Sequence, residues 1–255
     1  MSEIPQVMKV MGPPGTGKTT YLIRALARAT KHFNPARIGA VSYTNAATEE
    51  IKTRAALNAE IDMTEAQYIR TIHSICFRLL NMTSDKVADE KIVEWNMDHP
   101  DMTISTKIEY SEENINDAFD PKYIQGQDAM MNWMAFQRMQ VYRNRMIPIN
   151  QWHDYLAEKI YEEWKRWTFV SDYMDYTGML EQVLEEKLKP DIDILFVDEA
   201  QDLTNLQHEV LKMWADGIPQ IYIGDGDQCI YRFAGAVPET FINLKNDGRL
   251  EDRRK

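Results

Sequence analysis

The chain has 255 residues, 44% of them hydrophobic and 27% charged, a composition that excludes a disordered, collagen-like or coiled-coil chain. No run approaches the ~18 uninterrupted apolar residues of a membrane span, and Met1–Val10 lacks the basic-then-apolar layout of a signal peptide. The formal charge of −11, from 29 basic and 40 acidic residues, taken alone argues against a protein that coats nucleic acid by bulk attraction.

Taken in order, Gln6–Met11 is a short, mostly apolar run entering a Gly/Pro-rich turn, the pattern of a buried strand. Lys18–Ala29 puts Leu22, Ile23, Leu26 and Ala27 on one face, which predicts an amphipathic helix. Arg37–Tyr43 predicts a second strand, and Asn45–Leu57 and Thr71–Leu80 predict helices. From about residue 85 to 171 the strand pattern disappears. That stretch holds five of the six tryptophans, namely Trp95, Trp133, Trp152, Trp164 and Trp167. Helical spacing at Trp133, Phe136, Gln137, Met139 and Gln140 predicts a mostly helical insertion whose aromatics form its own core. Asp191–Val197 and Gln220–Ile223 predict two more buried strands. Strands alternating with helices imply an α/β fold, a parallel sheet covered on both faces. The expected layout is one α/β domain from residues 1–84 and 172–255, interrupted by the insertion at 85–171.

Charge is uneven along this layout. Residues 1–84 carry 10 basic and 6 acidic side chains, a net +4, whereas 85–171 carry −6 and 172–255 carry −9. A polyanion site is therefore local and belongs in the first third. Two cysteines, Cys76 and Cys229, can build neither a disulfide scaffold nor a four-cysteine zinc site, which fits a reducing, cytoplasmic setting. His32, His99, His153 and His208 show no ligand spacing, so zinc is not expected. Cys229 reads as a small buried residue and the methionines as core filler. Tyr142, Arg143, Asn144 and Arg145 form a basic-aromatic cluster that reads as a solvated helix face, with contact to a nucleic-acid backbone as the alternative.

Gly12-Pro13-Pro14-Gly15-Thr16-Gly17-Lys18-Thr19 fits G-x-x-x-x-G-K-[ST] at every fixed position, with a strand before it and a helix after it. Glycines at 12, 15 and 17 let backbone N–H groups turn around phosphate oxygens. The helix N-terminus adds a favourable dipole. Lys18 is expected at the β- and γ-phosphates, and the Thr19 hydroxyl at Mg2+. Far along the chain, Ile194–Val197 runs into Asp198-Glu199. Carboxylates at a strand's C-terminal end lie where parallel sheets bind ligands. Asp198 is expected to hold Mg2+ and Glu199 to act as general base on water, which favours hydrolysis over transfer to an acceptor.

With these residues in place the chain resembles the UvrD/Rep-type superfamily 1 DNA helicases, in their RecA-like ATP-binding half with a helical insertion. Five ordered motifs carry the resemblance: the phosphate loop, Ser42-Tyr43-Thr44-Asn45-Ala46-Ala47, Thr71-Ile72-His73-Ser74, Val197-Asp198-Glu199-Ala200-Gln201-Asp202, and Gly224-Asp225-Gly226-Asp227-Gln228-Cys229-Ile230-Tyr231. The resemblance covers about 1–84 and 172–255. It implies an Mg2+-dependent ATPase coupled to single-stranded DNA, with 3′-to-5′ polarity and a role in repair, recombination or replication. It adds Gln228 as the γ-phosphate sensor, with Gln201 in the same network, and Thr20 at the nucleotide. Tyr43, Thr44, Asn45, Thr71, His73, Tyr231 and Phe233 would contact the DNA. Aromatic faces stack bases at about 1–3 kcal/mol each without reading sequence, and Thr and His hydrogen-bond phosphate oxygens. Read singly, Tyr43 is a strand-end rim residue and His73 a core histidine, and only the ordered set lifts them.

Four positions depart from the family pattern. Only about five residues precede the first strand, so an upstream adenine-reading glutamine is not expected. Thr20 replaces a frequent Arg, which leaves selectivity for ATP over other nucleotides open. Phe233-Ala234-Gly235 replaces W-R-G. The chain reaches Lys255 soon after the fifth motif, so a second RecA-like domain is expected from a partner chain or a missing region. Its arginine would be worth roughly 10³–10⁵ in turnover. Arg249, Arg253 and Arg254 lie in a polar tail, Asp247–Lys255, expected to fray. Two alternatives stand beside the motor reading: a nucleotide-gated DNA-binding or regulatory module with little turnover, and a P-loop kinase.

Overall fold

A computed structural model describes residues 7–59, 66–104, 127–244 and 251–252. They divide into two compact units, one formed by 1–81 with 180–255 and the other by 82–179. Gln6, Arg249, Arg253 and Arg254 lie outside the described residues.

The first unit is an α/β, RecA-like layer structure built on one sheet. Its strands are β1 (Val7–Met11), β2 (Ile38–Val41), β3 (Ile69–Arg70), β4 (Ile194–Val197), β5 (Gln220–Gly224) and β6 (Glu251–Asp252), in the order β3-β2-β4-β5-β1-β6. Every pairing is parallel. Parallel neighbours need long crossovers, and helices α1 (Lys18–Ala29), α2 (Asn45–Ala59), α3 (Ile72–Leu79) and α8 (Asn205–Trp214) lie along them. The core joins Val10, Leu22, Leu26, Ile38, Ile51, Phe196 and Ile223. β2 and β4 are buried at all four positions, the continuous apolar pattern of strands covered on both faces. Lys9 interrupts that pattern in β1 at 6% exposure. Its ammonium donates 2.7 Å to Ile242 O, at the end of α9 (Pro238–Ile242), so the buried charge meets a helix C-terminus.

β2 and β4 are shorter than the runs Arg37–Tyr43 and Asp191–Val197 that predict them. Arg37 closes a 3-10 turn, capped by the Asn34 side chain accepting from Ala36 N at 2.9 Å. Its guanidinium forks onto Asp193 at 2.7 Å and also pairs with Asp191. These three charged residues stay outside β2 and β4 because the fork holds them at the sheet margin. Thr71 does not enter its helix. It caps α3, its Oγ1 accepting from Ser74 N at 3.3 Å. The expectation of a frayed tail fails at Glu251 and Asp252, which pair with Val10 and Met11 of β1. An unfilled edge of backbone donors and acceptors is the physical reason.

The second unit is helical: α4 (Ile92–Asp98), α5 (Gln127–Asn144), α6 (Tyr155–Ser171) and the first turn of α7 (Tyr176–Glu185). Its core is aromatic, with Trp95 5.2 Å from Trp164 and 5.6 Å from Trp167, and Phe136 4.9 Å from Trp164. Four indole N–H groups find acceptors: Trp95 donates to Met102 O, Trp152 to Ile147 O, Trp164 to Asp175 and Trp167 to Asp98. Arg143 corrects the solvated-face reading, since it is buried and forked onto Asp175. The methionines divide. Met139 is fully buried, but Met97, Met131, Met134 and Met146 are exposed and fill no core. No helix among the described residues is long and apolar enough to cross a membrane.

Candidate functional site

All five motifs leave strands at one edge of the sheet, the C-terminal one. Met11, Val41, Arg70, Val197 and Gly224 end β1 to β5, and the chain turns into motif residues at each. Register brings these ends level. Met11 is opposite Gly224, and Val41 is opposite both Val197 and Arg70.

Gly15 (φ 75°) and Gly17 (φ 83°) are left-handed, so a side chain at either would be strained. Gly12 does not share that conformation; it is buried, and its N–H donates to Gly224 O at 3.3 Å. Thr16 Oγ1 donates to Pro13 O at 2.6 Å, closing the loop on itself. Lys18 Nζ donates to Gly12 O at 2.8 Å across it. α1 begins with no side-chain cap and no acid in its first turn, so its N-terminal N–H groups and dipole face an anion without competition. Pro13, Pro14 and Gly15 are exposed at the loop's mouth, Thr19 is half-buried, and Thr20 is exposed.

Asp198 stays in the ladder, its N–H donating to Val41 O at 2.8 Å. Its carboxyl is buried, and burial together with the adjacent Glu199 charge pushes its pKa up to about 7, with Lys18 opposing. Glu199 is half-buried and left-handed (φ 48°, ψ 45°), an uncommon conformation for a residue with a side chain. Gln201 is 3% exposed. Its Oε1 accepts from Asp225 N at 2.9 Å, and its Nε2 donates to Glu199 Oε2 at 2.9 Å and to Asp202 at 3.1 Å. Gly224 makes room for this amide, because a Cβ there would collide with Gln201 Oε1 and lie 3.0 Å from the Phe241 ring. Gln228 is exposed, with its N–H on Asp225 O at 3.1 Å. Cys229 is half-buried rather than buried. Burial pushes Asp202 up to about 6, with the neighbouring thiol opposing.

Tyr43 and Tyr231 stack, with centroids 4.3 Å apart at 27°, and Phe233 lies 6.2 Å from Tyr231. Two motifs 188 positions apart are thus joined by ring contact. Phe233 is 47% and Ile230 65% exposed. Thr44 Oγ1 accepts from Ala47 N at 3.1 Å, so it and Thr71 serve as helix caps, each keeping its hydroxyl proton to donate elsewhere. Asn45 is exposed at the start of α2, and His73 is half-buried in α3.

A family model, the UvrD/REP helicase N-terminal domain, matches residues 2–249. The chain belongs to this family. It is similar to the ATP-dependent DNA helicase PcrA of Staphylococcus aureus (25% identical, covering 93% of this chain and 34% of that protein). It is also similar to the ATP-dependent DNA helicase Rep of Buchnera aphidicola (23%, 93% and 37%) and to PcrA of Bacillus subtilis (24%, 93% and 33%). The chain spans about a third of the length of these relatives.

For this member of the family, the donor set fits Mg2+. Asp198 and Thr19 offer hard oxygens, and Asp198 is a buried carboxyl whose charge burial and Glu199 disfavour, an environment that a cation relieves. Among the described residues no group of three or more His, Cys, Asp or Glu is placed to hold a metal. Mg2+ commonly keeps several waters and takes only one or two carboxylates beside substrate phosphates. Gly224 and Asp225 belong to the fifth motif but have no role of their own in the sequence. A Gly-Asp pair directly after an apolar strand was the available signal, and only the packed Gln201 amide gives it meaning.

Proposed function

We propose that this chain is the nucleotide-binding part of a DNA-dependent motor: it binds ATP with Mg2+, hydrolyses it, and responds to single-stranded DNA. The observation that carries this reading is the shared edge, where phosphate loop, acidic pair and stacked tyrosines leave neighbouring strands. The loop N–H groups and Lys18 take the phosphates. Thr19 and Asp198 would hold Mg2+, which would supply charge neutralisation at the phosphate oxygens. Glu199 accepts the proton of the attacking water. Gln228 senses the γ-phosphate from its exposed turn.

Bases stack on Tyr43, Tyr231 and Phe233, and Thr44, Asn45, Thr71 and His73 donate to the DNA backbone. The names of the relatives favour unwinding as the whole protein's activity, and the family resemblance favours 3′-to-5′ polarity. Translocation would draw on a second RecA-like domain, from another chain or from sequence outside these residues, whose arginine reaches the γ-phosphate.

The test is steady-state ATP hydrolysis with and without single-stranded DNA, with Glu199→Gln as control. DNA is expected to raise wild-type turnover, and Glu199→Gln to cut it to a small residual rate while nucleotide still binds. Nucleotide binding with background turnover, indifferent to DNA, would replace the motor with a nucleotide-gated binding module. Loss of nucleotide binding itself would sink both.

A further inference from the structure

We propose that Gln201 is a positioning residue that holds the Glu199 carboxylate and ties it to the turn carrying Gln228. This rests on the reading of Glu199 as the base. The Gln201 amide is buried, and its orientation is set from one side: Oε1 accepts from Asp225 N at 2.9 Å. The two protons on Nε2 therefore point away from Asp225, and they go to Glu199 Oε2 and Asp202 Oδ2. Both amide protons are used on carboxylates.

Two consequences follow from this geometry. The first concerns Glu199. Its backbone is left-handed and no regular ladder continues through it, so its side chain needs another restraint. The Gln201 bond occupies one carboxylate oxygen and leaves the other to take a proton. The second concerns coupling. The Asp225 peptide is gripped on both sides, its N–H by Gln201 and its carbonyl by Gln228 N at 3.1 Å. A displacement of the Gln228 turn therefore moves the anchor of the Gln201 amide, and with it the Glu199 carboxylate. The second Nε2 proton goes to Asp202 Oδ2 at 3.1 Å, which keeps the amide from turning about its own axis. The absence of a Cβ at Gly224 is what lets the amide sit there.

The experiment compares wild type, Gln201→Ala, Gln201→Glu, Glu199→Gln and the Glu199→Gln/Gln201→Ala double variant. Steady-state ATP hydrolysis is measured with saturating single-stranded DNA, and each protein's melting temperature is recorded. Gln201→Ala is expected to lower kcat about tenfold to a hundredfold, the value of a hydrogen bond to a charged group, with KM for Mg-ATP changed less than about threefold. Gln201→Glu keeps the shape and an acceptor for Asp225 N but donates nothing to the carboxylates. It is expected to lose at least as much kcat, and it carries the test if Gln201→Ala does not fold. In the Glu199→Gln background, Gln201→Ala is expected to cost nothing more, because it acts through Glu199. A folded Gln201→Glu or Gln201→Ala within twofold of wild-type kcat overturns the proposal and leaves the base reading intact. So does a full additional loss on top of Glu199→Gln. A wild type without turnover overturns the base reading and the proposal with it.

Discussion

His208 sits in α8 at 5% exposure, and its Nε2 has no hydrogen-bond partner among the described residues. Burial pushes its pKa down to about 4. The native state holds it neutral while the unfolded chain protonates near 6.5, so its contribution to stability is full above that pH and is lost as pH falls toward 4. Asp89 and Asp198, raised to about 7, and Asp202, raised to about 6, act in the opposite sense, their contribution lost as pH rises. His208→Leu is therefore expected to remove about 2 kcal/mol of destabilisation between pH 7 and pH 5 relative to wild type, read from urea midpoints at the two pH values. Parallel profiles for the two proteins would refute it. In the helical unit Asp175 presents the contrasting case. Burial alone would raise its pKa, but the Arg143 fork and bonds from Trp164, Gln140 and Gly178 hold it down at about 2. Asp175→Ala strands the buried guanidinium and is expected to cost about 3–5 kcal/mol of unfolding free energy. The Arg143→Met/Asp175→Leu pair should cost clearly less than that single change, and an equal or larger cost for the pair would count against the desolvation account.

At the scale of elements, helix starts divide by what they do with their free N–H groups. α8 closes its own: Thr204 Oγ1 accepts from Gln207 N at 3.2 Å and Gln207 Oε1 accepts from Thr204 N at 3.0 Å. Thr204→Ala is expected to cost about 1 kcal/mol in thermal or urea unfolding, and a loss below a tenth of that would show the cap to be idle. α1 leaves its N–H groups uncapped beneath the glycine loop. The extent of α1, Lys18–Ala29, was legible in the sequence because its apolar spacing and its entering glycines agree. β3 and the short helix α9 are not legible in the sequence. Two and five residues are too few for periodicity to register, and both exist because neighbours hold them. β6 is the same case, an edge partner for β1 with no apolar signature.

For the whole molecule, the net charge of −11 and the aromatic trio lead to a particular mode of binding. If stacking rather than phosphate neutralisation supplies most of the proposed affinity for single-stranded DNA, the salt slope is shallow. Tyr43→Ala is expected to weaken binding of a labelled oligothymidylate by about 1–3 kcal/mol with little change in that slope, measured by anisotropy across a salt series. A steep wild-type slope that Tyr43→Ala leaves untouched would assign the affinity to phosphate contacts elsewhere.

By itself the sequence determined the α/β class, the phosphate loop, the acidic pair after an apolar strand and the family, because each is written in neighbouring residues of restricted chemistry. Tertiary structure alone decided which distant residues meet: Tyr43 on Tyr231, Arg143 on Asp175, Gln201 between Glu199 and Asp225. The physical reason is that burial, backbone handedness and the partners of a polar group are properties of the packed chain. A glutamine reads the same in any sequence, and only its enclosure, with Gly224 yielding the space, turns it into a fixed link between two loops.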